Sequence, residues 1–177
     1  AIFFNTKSDE SSDAIRLRTT SWQEIADFFT TANRKSEINR KTKETNIRVF
    51  LNLDRFEEPI IDTGIGFFDH MLEQIGYHGN VQLETFCKGD LEVDEHHTIE
   101  DTALALGEAF ATTLKNKKGL ARYGFTLPMD ESLASAALDF GGRPYLKWDV
   151  TFNRDTIGNI DATLFEHFFK SFSQKAA

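Results

Sequence analysis

Asp94-Glu95-His96-His97-Thr98-Ile99-Glu100-Asp101 sets two imidazoles among four carboxylates. On a helix that starts here, His96 and Glu100 stand one turn apart on one face, with His97 on the neighbouring edge. At about 100° per residue, Ile99, Ala103, Leu106, Phe110 and Leu114 gather on that same side. Two ring nitrogens and a carboxylate are therefore expected to point toward a core, where ionisable groups must be paired, hydrogen-bonded or bound to a metal. The same residues also fit a plain polar helix start, since acidic side chains near an N-terminus suit the macrodipole.

A second pattern bears on the choice. Leu164-Phe165-Glu166-His167-Phe168-Phe169-Lys170-Ser171-Phe172 matches Phe67-Phe68-Asp69-His70-Met71-Leu72-Glu73-Gln74-Ile75 class by class, at an offset of 97 (167 − 70). An acid followed by a histidine at the same phase of two amphipathic helices predicts a duplication. In the first copy a strand and His-His-x-x-Glu follow. The second copy is expected to repeat this near position 193 (96 + 97), beyond Ala177, so the sequence reads as truncated at both ends.

His70, His96, His97, His167 and Glu100 make a nitrogen-rich set with one carboxylate. Such donors suit Zn, Mn, Fe, Co or Ni, and carboxylates extend the choice to six-coordinate ions. A structural zinc site usually draws on several cysteines, and Cys87 is alone. H-E-x-x-H, G-x-S-x-G and P-loop patterns are absent, so metalloprotease, acyl-transfer and nucleotide-hydrolysis chemistry have no support. Arg122 and Arg143 sit at turns beside strands, where guanidinium forks suit phosphate or simply face water.

The elements that must position these groups follow from the chain. Its 177 residues allow one domain plus a piece of another, and 17 Phe supply core. A formal charge of −8 argues against nucleic acid or anionic membrane as partner. No apolar run is membrane-length, no signal-peptide pattern opens the chain, and a lone cysteine suits a reducing, cytoplasmic setting. Residues 1–33 offer two short strands and a helix opened by the Ser21-x-x-Glu24 capping box, with Ile25, Phe28 and Phe29 on one side. Residues 34–43 are polar and aperiodic and are expected to be a linker, with the main domain spanning 44–177. There, Ile47, Val49, Leu51 and Leu53 alternate as a half-buried strand, and Thr63-Gly64-Ile65-Gly66 is a turn into a helix. Val81–Val93 is expected to be a strand pair or one bent strand, and the His-His helix to run to about Asn116. Leu133–Phe140 and Tyr145–Phe152 are expected to form a hairpin, and Asp161 to cap the last helix.

Lys43-Glu44-Thr45, Thr63-Gly64-Ile65-Gly66-Phe67-Phe68-Asp69-His70-Met71-Leu72, the His-His-x-x-Glu stretch, Leu127-Pro128-Met129-Asp130-Glu131, Gly142-Arg143-Pro144 and Glu166-His167-Phe168-Phe169 together resemble imidazoleglycerol-phosphate dehydratase of histidine biosynthesis. The resemblance runs from about Arg40 to Ala177. Residues 1–33 resemble the tail of the haloacid-dehalogenase-type phosphatase domain fused ahead of it in some bacteria, without that domain's aspartate nucleophile motif. The resemblance implies an α+β fold of two tandem similar halves, each a four-stranded sheet packed on helices, in the manner of the second domain of a small-subunit ribosomal protein, with the second half incomplete. It implies dehydration of imidazole glycerol phosphate to imidazole acetol phosphate through a metal-stabilised imidazolate. It also implies two manganese ions per site and sites completed between subunits of a closed assembly of roughly 24 copies. Metal ligands fall on His70, His96, His97, Glu100 and His167, with His70, His96 and Glu100 also catalytic. Glu44 falls on an acid/base position at the substrate, while His70, Gln74, His78, Arg122 and Arg143 fall on substrate contacts, the arginines at the phosphate. The family's second His-His-x-x-Glu has no counterpart here, which implies weakened metal binding, activity and assembly.

Two rival readings remain. One is a non-catalytic metal-binding oligomerisation module, which would bind metal without consuming imidazole glycerol phosphate. The other is a metal-dependent hydrolase with a metal-activated water.

Overall fold

The computed structural model describes residues 2–4, 12, 15–30, 34–117 and 119–177, without the side chains of 27, 29 and 30. The expectations for Ala1, the Phe29 side chain and Lys118 lie outside those residues. The chain forms two units, 1–33 and 34–177.

In the first unit, β1 (Ile2–Phe4) and β2 (Leu17–Thr19) pair in parallel, Ile2 opposite Leu17. Helix α1 (Trp22–Thr30) begins as the capping box predicts, with Ser21 Oγ accepting the Glu24 N–H at 3.3 Å. The Glu24 carboxylate accepts from the Thr19 hydroxyl instead of reaching back to Ser21.

The second unit is built on a four-stranded sheet of β3 (Lys35–Lys41), β4 (Thr45–Asn52), β5 (Ile60–Asp62) and β6 (Gln82–Gly89), in the order β3-β4-β6-β5. Only β5–β6 is parallel. Helix α2 (Gly66–Gly79) follows a turn in which Gly64 takes φ +81°, a left-handed conformation open to glycine. Helix α3 (His96–Leu114) lies across β3 and β4, where Ile99, Ala103, Leu106 and Ala109 close a core with Ile47, Val49, Leu51 and Leu83. Of the stripe predicted from periodicity, Ile99, Ala103 and Leu106 are buried and Phe110 and Leu114 half-buried. The side chains of His96, His97 and Glu100, expected to point toward the core, are instead 45, 44 and 36 % exposed at the open end of the helix.

The expected linker is a strand. Its inward positions Ser36, Ile38 and Arg40 alternate as a strand should, but two of them are polar and find tertiary partners. Ser36 Oγ donates to Ala109 O at 2.9 Å and accepts from Thr113 Oγ1 at 2.8 Å. Arg40 reaches the Asp101 carboxylate through Nε and Nη2 at 3.0 and 2.8 Å. An apolar-period search misses a strand whose buried side chains are hydrogen-bonded rather than greasy.

The expected hairpin shifts too. β7 (Tyr123–Met129) pairs with β8 (Ser132–Leu138) around Asp130 and Glu131, Asp130 adopting φ +48°. Residues 145–152 are irregular, and the Trp148 and Phe152 side chains go to helix α4 (Thr163–Ala176), Trp148 against Phe169 at 5.7 Å and Phe152 against Phe165 at 5.5 Å. Pro144 has no N–H to give a ladder, whereas aspartate tolerates the left-handed turn position. Val81–Val93 resolves into β6 and a turn closed by Val93 N–H to Asp90 O at 2.8 Å. A two-residue pair, β9 (Thr156–Ile157) with β10 (Ile160–Asp161), leads into α4. There Asp161 Oδ1 accepts from Thr163 N–H and Oγ1 at 2.8 and 2.6 Å, the cap expected of it.

The duplication is visible in the fold. α2 and α4 both have 14 residues, and their ends differ by 97 (163 − 66, 176 − 79). The two hairpins share one register: Ile38 faces Val49 and Phe125 faces Ala136, each 87 residues on (38 + 87, 49 + 87). In the first copy this face is sealed by α3. In the second, Tyr123, Phe125, Leu127 and Leu138 on the same face are 48, 58, 59 and 47 % exposed.

Candidate metal centre

His96 and Glu100 come from the first turns of α3, and His167 from the first turns of α4. Glu95 helps to bring the helix starts together, its Oε1 accepting the Asp161 N–H at 3.0 Å. Gly107 does so further along α3, where a β-carbon would lie 2.5 Å from Phe172 O and 3.1 Å from Ala176 N. Only a residue without a side chain permits that approach.

The result is a three-sided cluster. His96 Nε2 lies 3.2 Å and His167 Nε2 3.1 Å from the same Glu100 Oε2, and the two rings are 4.7 Å apart. One donor atom from each residue falls within 4.8 Å of the others. His167 Nε2 is closed off from solvent, yet it makes no aligned hydrogen bond despite the nearby carboxylate oxygen. A buried polar atom in that state is costly.

These donors fit a divalent cation. Bonds of about 2.0–2.2 Å to nitrogen and oxygen place neighbouring ligand atoms of a six-coordinate ion roughly 3 Å apart, close to the separations seen. Burial raises the Glu100 carboxyl, but His167 and then His96 beside it outweigh burial and hold it below its ordinary value. The carboxylate is thus anionic, as a ligand must be.

The other expected ligands stand apart from this cluster. The His97 ring is turned 71° from that of His96, and its Nδ1 is 3.0 Å from Asp90 Oδ2. The hydrogen bond to Asp90 is the main cause raising the His97 imidazole; burial opposes it, and the charges of Asp90, Glu44 and Asp94 add to it. His70 is exposed on α2, 3.8 Å from Glu73 Oε2, while Gln74 Nε2 donates to the His70 carbonyl at 3.1 Å. His78 is exposed on the last turn of the same helix. Glu44 is exposed in the β3–β4 turn, its N–H donating to Thr42 Oγ1 at 3.2 Å. Arg122 is exposed and paired with Asp139 at 2.8 Å, which raises its guanidinium. Arg143 is exposed in the loop after β8.

One buried group carries no local sequence signal of its role. The Asp101 carboxylate takes Arg40 on Oδ1, and Thr45 Oγ1 and Thr42 Oγ1 on Oδ2 at 2.6 and 3.3 Å. Burial pushes its carboxyl up, but Thr45 and Arg40 bring it below the ordinary value. It ties the β3–β4 turn, which carries Glu44, to the helix that carries His96 and Glu100.

Comparisons with known proteins agree with this architecture. The profile of the imidazoleglycerol-phosphate dehydratase family matches residues 63–177. The chain is 56% identical over 160 residues to the histidine biosynthesis bifunctional protein HisB of Bacteroides fragilis, covering 90% of this chain and 43% of that protein. It is 52% identical over 169 residues to the same-named protein of Spirosoma linguale, covering 96% and 44%. The chain thus spans less than half the length of these relatives. Among solved structures, imidazoleglycerol-phosphate dehydratase from Staphylococcus aureus superposes with a TM-score of 0.71 at 29% identity, covering 80% of this chain and 78% of that one. The Pyrococcus furiosus enzyme gives 0.68 at 27% identity, covering 78% and 74%. An α+β chain with this match belongs to the imidazoleglycerol-phosphate dehydratase family.

Proposed function

We propose that this chain is the dehydratase part of a bifunctional histidine-biosynthesis enzyme, a hydro-lyase converting imidazole glycerol phosphate to imidazole acetol phosphate. The observation that carries the reading is the convergence of His96, Glu100 and His167, with His167 Nε2 closed off from solvent 3.1 Å from Glu100 Oε2. These three side chains would hold one manganese ion. His70 and His97, which lie outside that cluster, would serve a second site completed by neighbouring copies in a homo-oligomer. A bound divalent cation supplies positive charge that lets a substrate imidazole take up electrons.

The chain's own groups would do the rest. Arg122 and Arg143 anchor the phosphate and fix the substrate's distance from the metal-bearing helix. Gln74 and His78 line the substrate from α2. Glu44 takes the proton released from the carbon next to the ring, and the departing hydroxyl leaves as water with proton help from the same site. Residues 1–33 are, on this reading, the end of the phosphatase domain that precedes the dehydratase. No helix among the described residues is long and apolar enough to cross a membrane, and we place the enzyme in the cytoplasm with a small phosphate ester as its substrate.

The test is turnover of imidazole glycerol phosphate by metal-depleted protein before and after Mn2+ is restored. Product is expected only with Mn2+, and H167A is expected to abolish it. Dehydration that survives both chelation and H167A would overturn the reading. Stoichiometric Mn2+ binding without turnover would favour the non-catalytic module.

A further inference from the structure

Two adjacent histidines of α3 make different commitments. His96 turns Nε2 toward Glu100, whereas His97 turns Nδ1 toward Asp90, 3.0 Å from Oδ2 and 3.3 Å from Oδ1. The Asp90 side chain is 19 % exposed and that of His97 44 %, so the carboxylate is the more enclosed partner.

Its position is set by backbone. Asp90 follows the last residue of β6 and opens the turn closed by Val93 N–H. Gly89, just before it, has no room for a side chain: a β-carbon would lie 2.0 Å from Thr98 Oγ1 and 3.2 Å from Thr98 Cβ. The end of β6 and the first turn of α3 are therefore locked together, which holds Asp90 opposite His97.

A neutral imidazole has one N–H and one lone pair, and the hydrogen bond made by one nitrogen decides which nitrogen can ligate. We propose that Asp90 is a positioning residue that accepts the His97 Nδ1–H and so presents Nε2 as a ligand for a divalent cation. This rests on the metal-dependent reading above and adds a residue to it. Carboxylates in this relation orient histidine ligands and make them more basic.

Nitrogen-15 NMR of the metal-free protein, at a pH well above the ordinary imidazole value of about 6.5, tests the geometry directly. Wild type is expected to carry the His97 proton on Nδ1, D90A to lose that preference, and D90N to keep it because its amide oxygen still accepts. A proton on Nε2 in wild type, or a D90A spectrum unchanged at His97, would overturn the proposal. Mn2+ titration is the second readout. D90A is expected to weaken one class of site about 10–100-fold while leaving the class that includes His167 unchanged, with D90N closer to wild type. D90A binding Mn2+ as wild type does would also overturn it. Absence of turnover by Mn2+-loaded wild type would instead count against the dehydratase reading, leaving the metal-free spectrum to decide Asp90.

Discussion

Glu100 Oε2 and His167 Nε2 lie 3.1 Å apart, although 67 residues (167 − 100) separate them in the chain. The contact exists because α4 lies against α3 and because both helices begin at the same end of the unit. Removing His167 tests metal binding and folding together. H167A deletes a ring that lies 4.7 Å from that of His96 and helps hold the Glu100 carboxyl down, so a modest loss of folded-state stability is expected. Mn2+ affinity is expected to fall by at least tenfold and turnover to vanish. Calorimetric titration beside a urea melt checks both halves of this expectation.

Gly107 lets the far end of α4 lie close against α3. In G107A the added methyl would meet the Phe172 carbonyl at 2.5 Å and Lys175 Cβ at 2.9 Å. Backbone cannot yield as a flexible side chain can, so α4 must move. A loss of about 1–3 kcal/mol is expected for such overpacking, together with weaker Mn2+ binding as His167 withdraws from Glu100. Unchanged affinity in a folded G107A would show that the helix crossing does not set the site.

Asp101 is expected to matter for stability and for its pH dependence. D101N leaves Arg40 facing a neutral group inside a network shared with Thr42 and Thr45. Breaking a buried charge pair costs about 3–5 kcal/mol, and the partial exposure of Arg40 places this pair toward or below the lower end. The folded carboxyl sits below its ordinary value, so its contribution is present above the unfolded value of about 3.9 and is lost as pH falls through the folded one. Wild type should therefore exceed D101N at neutral pH, and the gap should close below about pH 4. Urea midpoints at several pH values give the comparison.

Arg122 and Arg143 separate binding from stability in another way. The Arg122–Asp139 pair is exposed, and such pairs contribute about 0–1 kcal/mol, so R122A should melt with wild type. R143A is expected to raise KM with a smaller change in kcat. An unchanged KM would remove Arg143 from the phosphate pocket.

Local pattern alone determined the helices and the strand at Thr45–Asn52. Periodicity selected the face of α3 that is buried, and Asp161 and Ser21 marked helix starts, because caps and amphipathic stripes are written within a few residues of where they act. The acid–histidine repeat was legible in the same way and foretold a pair of like helices. Tertiary structure decided what local pattern does not encode. Lys35–Lys41 is a strand because Ala109, Thr113 and Asp101, distant in sequence, satisfy its polar inward side chains. The hairpin turns at Asp130-Glu131, ahead of the glycines that signalled a turn, because β7 and β8 repeat the pairing of β3 and β4. Of five histidine and glutamate candidates, only His96, Glu100 and His167 meet within one chain. The spacing of His96 and Glu100 follows from one helical turn, but the arrival of His167 depends on how closely two helices pack, and packing is a property of the folded whole.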